Sequence, residues 1–207
     1  MNLIKSTGTF SFFTVLSRIS GYIRDILIAF FLGTGFIADA FFVAFRIPNT
    51  FRRLFSEGTF NAAFIPSYTS EKRIGKIKSD KFANQVFNIL LIALFLLVLI
   101  VELFAPFFVS LLAPGFIEDD QKIELAVKLT RITFPFLLFV SLASFFAAIL
   151  NSNNRFGAAA ASPIILNLIL IITLLISANI GDQLAYQLSY AVTISGIIQL
   201  LFLYIFY

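Results

Sequence analysis

The chain has 207 residues, of which 59% are hydrophobic and only 13% charged, with a formal net charge of +4. A soluble domain carries about 25% charged residues, so this composition cannot cover a water-facing surface. With a mean hydropathy of +0.96, the chain reads as an all-α polytopic membrane protein. His and Cys are both absent, which removes disulfides, thiolate metal sites and the commonest general base; no catalytic residue, metal or cofactor is expected. The basic residues are scattered among apolar runs or confined to one short segment, so the positive charge does not point to nucleic acid.

A spanning helix needs about 20 mostly apolar residues. Six stretches qualify, at about 6–32, 36–68, 82–112, 123–150, 158–180 and 184–206. The first could pass for a secretion signal, since Lys5 precedes the apolar run Thr9–Leu16, but Arg18 and Arg24 follow with no small-x-small cleavage signature. Short polar or turn-forming segments separate the spans: Gly33–Gly35, the charged loop Glu71–Lys81, the acidic loop Ala113–Gln121, Asn151–Gly157 and Asn179–Gln183. Lys5, the five basic residues of Glu71–Lys81 and Arg155 fall on one side of an alternating six-span path. The opposite turns hold no Lys or Arg, although Lys122 and Lys128 near the outer end of the fourth span weaken the contrast. The positive-inside rule therefore puts the N-terminus in the cytoplasm.

The first two spans carry most of the intramembrane charge: Arg18, Arg24, Asp25, Asp39, Arg46, Arg52, Arg53 and Glu57. Each charge at the bilayer centre costs at least about 2.5–3.5 kcal/mol, so these side chains must face protein or a water-filled cavity. Counted from the outer turn at Thr34, Arg18 and Arg52 lie roughly 24 and 27 Å down their helices, and Arg24 roughly 15 Å. The three form a ladder from the cytoplasmic half to the midplane. Guanidinium stays charged and offers a planar fork that matches phosphate oxygens, so the ladder suits a large polyanion.

Several residues keep two readings. Asp25, seven residues after Arg18 on the same face, and Glu57, four after Arg53, either neutralise arginines for insertion or hold them and exchange partners during transport. Asp39 is a gate partner or a solvated interface residue. Gly21 lets the first helix bend between Arg18 and Arg24. Pro48 kinks the second span and frees carbonyls that can point into a cavity, or is an ordinary tolerated kink. Asn49 and Asn61 add polar surface to the same span. Asn167 reads as a packing residue, Arg131 stays open, and Glu102 has no evident partner.

The stretches Ser17–Asp25, Ala38–Phe60, Leu129–Pro135 and Ile149–Asn167 resemble corresponding segments of the MurJ (MviN) lipid II flippase family, within the multidrug/oligosaccharidyl-lipid/polysaccharide exporter superfamily. The resemblance implies transport without catalysis: lipid II, the undecaprenyl-diphosphate-linked peptidoglycan precursor, moves from the cytoplasmic to the periplasmic leaflet of the bacterial inner membrane by alternating access. It implies that Arg18, Arg24 and Arg52 bind substrate in a cavity, supported by Ser17, Asp25, Asn49 and Glu57. It also implies that residues 1–207 are the N-terminal lobe of a two-lobe transporter, a truncated half whose partners are lipid II, membrane lipids and a C-terminal lobe. The runner-up is an exporter of another polyprenyl-linked glycan or anionic substrate.

Overall fold

The computed structural model describes residues 3–56, 59–177 and 181–207, without the side chains of 3–7, 53–56 and 59. Among the described residues there are helices and turns and no strand. The helices are α1 (Leu3–Leu32), α2 (Phe36–Ser56), α3 (Thr59–Ile74), α4 (Lys76–Leu103), α5 (Ala105–Leu112), α6 (Asp120–Thr133), α7 (Phe136–Ser152), α8 (Phe156–Ile176) and α9 (Asp182–Phe206), with a 3-10 turn at Pro114–Phe116.

The expected second span corresponds to α2 and α3, and the third to α4 and α5. The fourth is α6 followed by α7; their junction, Phe134 and Pro135, keeps right-handed helical angles. Among the described residues, length and apolarity alone qualify four segments to cross a membrane: α4, α6 with α7, α8 and α9. The helices outside that set include α1 and α2, the two that carry the arginines. This is an all-α membrane protein, with four of the six expected spans identified on these grounds.

Local chemistry explains the turns. Gly33 and Gly181 hold φ of 67° and 66°, positive angles that favour glycine because it has no Cβ to clash. The Asp119 carboxylate caps α6 by accepting from the Lys122 N–H at 3.1 Å. The charged segment Glu71–Lys81, expected as a loop, is mostly helical: α3 runs to Ile74 and α4 starts at Lys76, with Gly75 between. Lys72 and Arg73 end α3, where positive charge complements the helix dipole.

The packing departs from a simple hairpin. α1 lies mainly along α8 and scarcely touches α2, while α2 packs on α6 and α7. α7 sits at the centre, against α9, α2, α4 and α8, with Phe136, Leu137, Ala148 and Ile149 buried. One core cluster gathers Phe41, Ile47, Phe134, Leu170 and Leu188. A second gathers Phe64, Tyr68, Phe145 and Phe146, where Phe64 packs 5.2 Å from Phe145 and Phe87 5.5 Å from it. In contrast, α4 turns Ile89, Ile92, Phe95 and Leu99 outward, which suits contact with lipid.

Polar contacts mark the two ends. At one, Lys72 donates to Asn153 Oδ1 and Arg155 to the Phe206 carbonyl. At the other, Lys122 pairs with Asp39 at 2.6 Å and sits 4.4 Å from the centre of the Phe116 ring.

Candidate functional site

Because α1 stays away from α2, a gap opens between them, floored by α7, α8 and α9. It is a cavity of about 340 Å³, within the range of about 300–1,000 Å³ typical of small-molecule sites. From α1 it is lined by Ser17, Arg18, Gly21 and Arg24, and from α2 by Phe45, Asn49 and Arg52. Phe136 and Val140 of α7, Pro163, Leu166 and Asn167 of α8, and Gln199 of α9 complete it. The arginines expected at similar depth thus reach one space, although the helices bearing them are not a packed pair.

Arg24 is the most constrained of the three. Its Nε and Nη2 donate to Asp25 Oδ1 at 3.0 and 2.7 Å, and its Nη1 donates to Asn167 Oδ1 at 2.6 Å. The guanidinium carbon lies 5.8 Å from the centre of the Phe45 ring. Asn167 in turn donates through Nδ2 to the Ser17 carbonyl and to Ser20 Oγ, both at 3.0 Å. Asn167 therefore joins α8 to α1 and fixes one edge of the guanidinium; the donors of Arg24 not used in these bonds remain for an anion.

Other expectations fare differently. Asp25 pairs with its neighbour Arg24 rather than with Arg18, because the arginine folds back along its own helix; Asp25 is exposed and is not a cavity wall. Asp39 pairs with Lys122 and does not line the cavity, whose nearest α2 residue, Phe45, lies six residues on, about 9 Å along the helix. The Arg53 side chain and Glu57 lie outside the described residues. α1 is helical without a break through Gly21, where an added Cβ would meet Asn167 Nδ2 at an ordinary 3.5 Å. Pro48 does free the Ala44 carbonyl, four residues earlier, but that oxygen accepts from Thr133 Oγ1 at 2.8 Å instead of facing the cavity. Among the described residues, Glu102 Oε1 is buried without a hydrogen-bond partner, within electrostatic range of Arg131.

In the sequence Asn167 reads as a packing residue, and neither Gln199 nor Phe45 stands out. Gln199 is 3% exposed and accepts from Ser162 Oγ at 3.3 Å. Its signal was present: an amide within the apolar run Ile197–Leu201, and polar groups inside spans usually face the bundle interior. Arg46 lines an adjoining concavity of about 390 Å³ that shares Phe45 and Asn49 with the main one.

The family model described as lipid II flippase MurJ matches residues 28–207. The chain belongs to the MurJ family. It is 43% identical over 99% of its length to a probable lipid II flippase MurJ of Rhizobium tropici, covering 39% of that relative. It is 38% identical to the probable MurJ of Rickettsia prowazekii, over 99% of this chain and 40% of the relative. It is 37% identical to the lipid II flippase MurJ of Burkholderia cenocepacia, over 97% of this chain and 39% of the relative. This MurJ-family chain thus spans about 40% of the length of the curated relatives it matches. The family-model match includes Arg52 and begins after Arg18 and Arg24. Family and apolar helices together make it a multi-pass membrane protein.

Proposed function

We propose that this chain is the arginine-lined lobe of a lipid II flippase. The supporting observation is the meeting of Arg18, Arg24 and Arg52 at one cavity. Three guanidinium groups supply enough positive charge for a diphosphate, and guanidinium N–H donors match its oxygens; those of Arg24 are the ones left over from Asp25 and Asn167. Asp25 and Asn167 hold Arg24 without neutralising the whole cavity. In this reading residues 1–207 act as one lobe in the bacterial inner membrane, with the N-terminus in the cytoplasm. Substrate passes to the periplasmic leaflet when a second lobe rocks against this one. The side of the cavity between α1 and α2, where Arg18 is exposed, is where that lobe and the glycan would lie.

The test joins this chain to the remaining portion of the Rhizobium tropici relative and asks whether the chimera supports growth of a flippase-depleted bacterium. The proposal expects growth, and loss of growth on Ala substitution of Arg18, Arg24 or Arg52. Lys should rescue poorly, because a point charge lacks the planar fork. Undiminished growth with all three replaced would end the reading.

A further inference from the structure

A proline within a helix lacks the N–H that would bond to the carbonyl four residues back. In α2, Pro48 leaves the Ala44 carbonyl in that state. Both residues are buried, Ala44 at 0% exposure, so bulk water is not available to it. An unpaired carbonyl in such a place is costly. Thr133, the last residue of α6 and itself fully buried, donates from Oγ1 to Ala44 O at 2.8 Å. The same hydroxyl lies 3.2 Å from Thr130 O on its own helix, where a buried helical threonine ordinarily bonds. Its single proton has the shorter path to α2. The anchor is fixed from a third helix, because Thr193 of α9 donates to Ile132 O at 2.5 Å. Immediately after Pro48 come Asn49 and Arg52, the α2 residues that reach into the cavity beyond Phe45.

We infer that Thr133 is a positioning residue for Arg52. Its hydroxyl replaces the amide that Pro48 lacks, and so holds the 49–52 stretch of α2 in the orientation that turns Arg52 into the cavity. The inference rests on reading that cavity as a diphosphate site. It differs from simple core filling in a specific way: the hydroxyl proton matters, not the volume. Valine keeps the shape and loses the donor; serine keeps the donor.

The experiment uses the purified 207-residue chain in nanodiscs, as wild type, T133V, T133S, P48A and P48A/T133V. Two quantities are read: amide hydrogen exchange over residues 49–52, and affinity for undecaprenyl diphosphate. T133V should speed exchange about tenfold, the effect of orphaning a buried carbonyl, and should weaken affinity; T133S should match wild type. In the P48A background position 48 regains an amide for Ala44 O, so adding T133V should change nothing further. Wild-type exchange in T133V, or an undiminished T133V effect in P48A, overturns the inference. If T133V alone fails to fold, recovery of folding in P48A/T133V supports it and continued failure overturns it. If exchange responds as expected while R18A/R24A/R52A binds as well as wild type, the diphosphate reading fails and the positioning role stands.

Discussion

Replacing Asn167 with Ala tests the structural connection between α8 and the α1 arginines. Asn167 is 5% exposed and makes three hydrogen bonds, to Arg24, the Ser17 carbonyl and Ser20 Oγ. Side-chain hydrogen bonds between membrane helices average about 0.6 kcal/mol each, so three amount to about 2 kcal/mol. For a chain of this size that lowers Tm by about 4–8 °C. The binding effect is separate. Without Asn167 Oδ1, Nη1 of Arg24 loses that partner, and among the described residues the guanidinium keeps Asp25 and the Phe45 ring. A guanidinium that must be ordered on binding loses about 1 kcal/mol of affinity, roughly fivefold for undecaprenyl diphosphate. Asn167→Asp separates the two bonding roles: it keeps an acceptor for Arg24 but sets a carboxylate oxygen against the Ser17 carbonyl. It should lose stability at least as strongly as Asn167→Ala. Thermal unfolding in detergent and lipid-binding titration measure these effects. An Asn167→Ala chain with unchanged Tm and unchanged affinity would refute the claim that this residue couples α8 to Arg24.

Other expectations follow from single contacts. Gly196→Ala would bring a Cβ within 2.8 Å of Phe136 Cδ2 and 3.2 Å of Phe139 Cβ; overpacking of this kind costs about 1–3 kcal/mol, so Tm should fall, and an unchanged Tm would show that α9 can slide from α7 freely. Among the described residues, Gly21→Ala meets nothing closer than 3.5 Å and should leave Tm unchanged or slightly raised; if it also leaves transport by the chimera unchanged, the bending role of Gly21 is wrong. Removing the end-on pair with Lys122→Ala should cost no more than about 1 kcal/mol, because the Asp39 carboxylate is over half exposed and such pairs are weak; a loss of folding would contradict that. For orientation, Lys78→Cys should resist impermeant thiol reagents in intact cells while Glu118→Cys reacts, both positions being exposed. Ser79 is buried and would be a poor reporter. The reverse labelling pattern would invert the topology.

What the sequence alone determined is what depends on composition and near neighbours. A chain with 13% charge has to be covered by lipid or by itself. The turns at Gly33, Gly181 and Asp119 follow from residues whose backbone or capping preferences act within a few positions. Arginines inside apolar spans announce a cavity because lipid cannot hold them, and counting along helices put Arg18 and Arg52 at nearly one depth. Only the tertiary structure decided which helices face each other. Nothing local distinguishes α2 from α8 as the neighbour of α1, since both present apolar surface; the choice is made by the fit of many side chains at once. That choice opens the gap holding the cavity and turns Asn167 from a packing residue into the partner of Arg24. It also decides the fate of the carbonyl that Pro48 frees. The sequence shows that Ala44 must lose its amide partner, but the threonine that satisfies it lies 89 residues away, a separation that only three-dimensional packing can close.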